Sequence, residues 1–117
     1  MKEMKIILPV KGNNAGFNTK QVRQTFEREV CLNYGGFTRT KAKGAWVNPA
    51  GVLIQEKVFV YTIACEKPSS SSGWGWLVLT AQRLLHPLGQ EEIYMVGPDG
   101  EVHFITEEIP LKLLDTD

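Results

Sequence analysis

Histidine and cysteine are both scarce in this chain of 117 residues, with two of each. Cys31 and Cys65 stand far apart and form no spaced framework, so they are expected to be buried, reduced and inert thiols. His86 and His103 show no metal-ligand spacing with a cysteine or a carboxylate, so no metal is expected. Neither sign of charge is in excess. Thirteen basic residues balance thirteen acidic ones, which argues against strong nonspecific attraction to DNA or to an acidic membrane. Long hydrophobic runs are missing too. The opening MKEMKIILPVKG is too short for a signal peptide or a spanning helix, so a cytoplasmic location without membrane contact is expected. Gly12 and Gly16 are too close for a phosphate-binding loop. The nucleophile elbow and the paired-glycine dinucleotide motif are both lacking. On these grounds no catalytic residue and no cofactor is assigned.

What is present is an ordinary globular composition, 43% hydrophobic and 22% charged, and an order of elements that fits one domain over 1–117 with a tail at 106–117. Lys5 to Lys11 reads as a first strand, with Ile6, Leu8 and Val10 on one face. Asn18 with Gln21 three residues later opens a helix over 19–33, and Phe17 is placed to staple onto Val22. Val22, Phe26 and Val30 mark its apolar side, and Gly35 and Gly36 end it. A second strand over 37–47 and a third over 52–66 flank the turn Asn48-Pro49-Ala50-Gly51. After the serine-rich loop, with its serines at 69–72, a second helix over 74–86 carries Leu77, Ala81, Leu84, Leu85 and Leu88, with Pro87 and Gly89 as its stop. Trp74 and Trp76 at its start cannot share one stripe, which makes them candidate surface aromatics. Glu92 to Val96 and Val102 to Ile105 complete a C-terminal hairpin around Gly97-Pro98-Asp99-Gly100.

This order is α+β: a ferredoxin-like βαββαβ two-layer sandwich with an extra C-terminal hairpin strand. Strands 1 and 3 are expected in the centre. Strand 2 alternates Thr38, Thr40, Ala42, Gly44 and Trp46 with Phe37, Arg39, Lys41, Lys43 and Ala45. Three cations cannot lie under helices without partners. The expectation is therefore that the Thr/Ala/Gly face meets the helices, while Arg39, Lys41 and Lys43 join Phe59 and Tyr61 on an open sheet face used for binding.

The spacing of Gly36, Thr38, Gly44, Trp46, Gly51 and Glu56 (GxTx5GxW…G…E) resembles a pattern in small uncharacterised bacterial and phage proteins of ferredoxin-like type. The resemblance covers about a fifth of the chain and implies the fold without implying an activity. The preferred functional expectation is a small non-enzymatic interaction protein of phage or mobile-element origin, acting on a host protein complex or pairing with itself as a homodimer. Two alternatives accompany it. One is single-stranded nucleic-acid binding through Arg39, Lys41, Lys43, Phe59 and Tyr61. The other is a small enzyme with a pocket near Trp46, Glu56 or His103, marked by a carboxylate or imidazole with a perturbed pKa.

Overall fold

The structure, a computed structural model, describes residues 2–65 and 71–108. It is an α+β fold: one five-stranded antiparallel sheet in the order β2-β3-β1-β4-β5, with two helices. The strands are β1 (Lys2–Pro9), β2 (Thr38–Val47), β3 (Leu53–Cys65), β4 (Ile93–Val96) and β5 (Val102–Ile105); the helices are α1 (Thr19–Tyr34) and α2 (Trp76–Leu88). Serines 69 and 70 and the leucines of the tail, Leu111, Leu113 and Leu114, lie outside the described residues.

Local chemistry sets the boundaries. The Asn18 side chain accepts the Gln21 N–H at 3.1 Å, and Gly35 closes α1 in the left-handed region, as a cap and a terminal glycine should. The Phe17 ring stands edge-on to His86 of α2. Pro87 does not stop α2. It sits in the last turn, and Gly89, at φ +62°, makes the stop by donating its N–H to the His86 carbonyl. In the β2–β3 turn the Asn48 side-chain oxygen accepts from Ala50 and Val52, while Gly51 takes a positive φ. A wide helical turn, Ser71–Gly75, kinked at Gly73, leads into α2.

The core lies between one sheet face and both helices. Met4, Ile6 and Leu8 of β1, Tyr61 and Ile63 of β3, Ile93 and Met95 of β4 and Ile105 of β5 are buried there against Phe26, Val30, Leu77, Ala81, Leu85 and Leu88. Alternation along each strand sends Ile7, Val60, Thr62, Tyr94, Val96 and the exposed Phe104 to the other face, on which no described helix packs.

This arrangement reverses the expected faces. Phe59 and Tyr61 point at the helices, and so does Arg39, which stands opposite Tyr61 in the β2–β3 register. The partner for that cation comes from α1: Glu27 accepts from Arg39 at 2.7 Å. Trp74 and Trp76 are corrected as well. Trp74 is buried beside His103 and Trp76 packs half-buried on Tyr34. Of the two cysteines, Cys65 is buried and Cys31 is exposed, because it falls one helical step past the core residue Val30.

Candidate functional site

β1 pairs with β3 only from Cys65 back to Val58. The β2–β3 hairpin continues beyond that limit, from Lys43 opposite Lys57 to Val47 opposite Leu53. Among the described residues no third strand pairs with this distal arm, and its tip leaves Trp46, Val47, Val52 and Leu53 exposed. A cavity of about 620 Å³ runs along the arm, lined by Lys41, Ala42, Lys43, Gln55, Glu56 and Lys57.

The two faces of the arm differ in chemistry. On one, Gly44 lies opposite Glu56 and Trp46 opposite Ile54. Gly44 carries no side chain, which leaves room over the Glu56 position; a Cβ there would meet only a Val58 methyl, at 3.8 Å. Partial burial strips water from the Glu56 carboxyl and raises its pKa above the ordinary value. Trp46, 47% exposed, offers an indole close by on the same face. On the other face stand Lys41, Lys43, Gln55 and Lys57.

Nearer the body, the helix-side face holds a compact polar network. Glu27 accepts from the Tyr61 hydroxyl at 2.6 Å as well as from Arg39. Burial, followed by the hydrogen bond to Glu27, raises the Tyr61 pKa, and the same carboxylate raises that of Arg39. The guanidinium carbons of Arg39 and Arg23 lie 4.3 Å and 4.8 Å from the Phe59 ring centre. Arg23 is buried and donates to the Val10 carbonyl, while its Nε has no partner.

Of the expected binding residues, Lys41 and Lys43 remain exposed and together. Arg39 is tied to Glu27. Tyr61 is fully buried and Phe59 is covered by two guanidiniums, so an aromatic platform for nucleic-acid bases is not built here. Arg23 and Glu27 were missed by the apolar pattern. Their signal is the four-residue step Arg23–Glu27, continued by Val30 and Tyr34, which lays a second stripe on α1.

The reading of His103 as lacking metal-ligand neighbours is corrected too. Among the described residues, Asp99, Glu101 and His103 bring one ligand atom each within 4.8 Å of one another. They sit at alternate positions from the turn after β4 into β5, and only His103 lies within a strand. Asp99 and Glu101 are exposed, and the Asp99 carboxylate already accepts the Glu101 N–H. A second cavity, of about 280 Å³, opens between the helices around Val22, Phe26, Thr80 and Leu84. No described helix is long and apolar enough to cross a membrane.

No family model matches the sequence, and no curated protein matches it. Two solved structures share the fold. A phage SAM lyase in complex with S-methyl-5'-thioadenosine is similar with a TM-score of 0.65 at 16% identity, over 89% of this chain and 88% of that one. A phage SAM lyase in its apo state is similar with a TM-score of 0.57 at 15% identity, over 92% and 90%. The expectation of a non-enzymatic interaction protein does not stand, since both of these neighbours are an enzyme. At this identity the likeness carries the fold, a small α+β fold also used by a phage lyase.

Proposed function

We propose that this chain is a small phage-type enzyme that binds S-adenosylmethionine and cleaves it. The observation that carries the reading is the near-complete overlay on a lyase holding S-methyl-5'-thioadenosine. The chemistry of the arm supports it. That thioether keeps the methyl, the sulfur and the adenosyl group of S-adenosylmethionine. The broken bond is therefore the one from sulfur to the amino-acid chain: its electron pair returns to sulfur and discharges the sulfonium, while the carbon it leaves takes a pair in exchange from the substrate's own carboxylate oxygen, closing a lactone. A ligand with a cationic sulfur and a flat purine fits a partly desolvated carboxylate beside an indole. Glu56 supplies the charge and Trp46 the ring. Glu56, raised by desolvation, gains most from an ion that replaces lost water. A finer fold assignment goes with this reading: β2-β3-β1-β4 has the order of a ferredoxin-like sheet, and β5 extends it beyond β4.

The test is incubation of the purified protein with S-adenosylmethionine and chromatography of the products. Release of S-methyl-5'-thioadenosine is expected. Glu56→Gln should lower kcat/KM on the order of a hundredfold, the usual scale for losing one placed electrostatic contact. The working form of Glu56 is the ionised one, so wild-type kcat/KM should climb as pH rises through its raised pKa, and the Gln variant should lose that limb. Stability should run the other way. The folded state holds this proton more tightly than the unfolded chain, so stability falls as pH rises from 4.5 through the raised value. The Gln variant should remove that fall. No thioadenosine product and no binding of either compound would sink the proposal.

A further inference from the structure

We propose that the basic face of the arm is a second ligand site, which takes an oligophosphate. Lys43 and Lys57 are direct partners in the antiparallel register, and Lys41 lies two residues along the same face. Like charges placed directly opposite across two strands are destabilising. Among the described residues no carboxylate lies within ion-pair distance of these three lysines. The neighbouring Glu56 belongs to the opposite face by alternation. Behind the lysines stand Arg39 and the buried Arg23, whose Nε lacks a partner. Arg39, Lys41, Lys43 and Lys57 thus share this side of the ribbon, and Arg23 of α1 lies over the same Phe59 ring as Arg39.

The three lysines line the cavity of about 620 Å³ together with Ala42, Gln55 and Glu56. Two residues along a strand span about 6.5 Å, and directly opposed residues about 5 Å. Three ammonium groups on flexible stems at that spacing match the successive oxygens of a di- or triphosphate better than one carboxylate. Three ammonium groups attract a phosphate chain and repel a sulfonium, and Glu56 does the reverse, so the two ligands part by face along a cavity that both faces line. With Phe59 covered and Tyr61 buried, recognition rests on the phosphates and not on stacked bases.

The experiment is titration of the full chain with tripolyphosphate and with ATP at low salt, by calorimetry and by thermal melting. One equivalent should bind and raise Tm. Equal affinities assign the site to the phosphate chain itself, and a tenfold preference for ATP assigns it to a nucleotide; both fit the proposal. Lys43→Gln and Lys57→Gln should each weaken binding at least about tenfold. Each should also raise the Tm of the ligand-free protein, because each removes a repulsion. A site made by chance would not give this opposition of signs. The double variant Arg28→Gln/Arg83→Gln, which removes exposed cations of the helices, should change neither quantity. Absence of binding by either polyanion overturns the proposal, as does equal weakening by the helix variant. Neither result depends on whether S-adenosylmethionine is cleaved.

Discussion

Phe26→Ala should destabilise the protein by about 3–5 kcal/mol, the usual cost of emptying a buried phenylalanine site. Phe26 is 1% exposed. Its ring meets Tyr61 edge-on, with centroids 5.2 Å apart and planes at 83°, and Phe37 holds a similar geometry on Tyr61 at 5.3 Å. The substitution removes dispersion contacts from a ring that cannot follow, because the Tyr61 hydroxyl is fixed on Glu27 at 2.6 Å. The cavity therefore stays open. A domain of this size has total stability of about 5–15 kcal/mol, so the variant should melt on the order of 10–20 °C lower. Urea unfolding should show a lower midpoint with an unchanged slope. A loss under about 1 kcal/mol would mean that α1 does not seal this face of the sheet.

Gly89→Ala should cost about 3 kcal/mol or more, from left-handed strain combined with a backbone collision. An added Cβ at Gly89, where φ is +62°, would stand 2.7 Å from both the Asn13 carbonyl carbon and the Asn14 nitrogen. That loop has little room to retreat. Asn13 donates its N–H to the Leu88 carbonyl, and the Asn14 amide donates to the His86 carbonyl. Gly35→Ala is the internal control. It has a positive φ of 91° but nothing within 4 Å of an added Cβ, so only the strain of about 1 kcal/mol applies. Equal losses in equilibrium unfolding would refute the close approach of the 12–14 loop to the end of α2.

The elements were legible because their signals are local. Asn18, Gln21 and Gly35 frame α1, and Asn48 and Gly51 frame the hairpin, with hydrogen bonds made within a few residues. The faces of the sheet were not legible. β3 is apolar on both sides, so alternation alone leaves its orientation open. The rule against burying three cations was applied to Arg39, Lys41 and Lys43 as a unit. In the structure, Arg39 finds Glu27, and Lys41 and Lys43 stay exposed on β2. Whether strand cations lie under a helix depends on how far that helix reaches across the sheet, and a strand sequence does not record it. The Glu56 site was legible in part. The residue stood in the glycine-spaced pattern with Trp46, but its desolvation arises from tertiary surroundings that the sequence pattern does not specify.

The place of β1 also bears on how the molecule is made. Its residues pair with β3 along one edge, and Lys5 and Ile6 pair with Val96 and Met95 along the other. A ribosome delivers β1, which ends at Pro9, well before β4, which begins at Ile93. Chain growth at about 5–20 residues per second leaves a wait of seconds between the two. During that interval Ile6 and Leu8 sit in a strand with one raw edge, which is the kind of segment that chaperones hold and that sticks to its own copies.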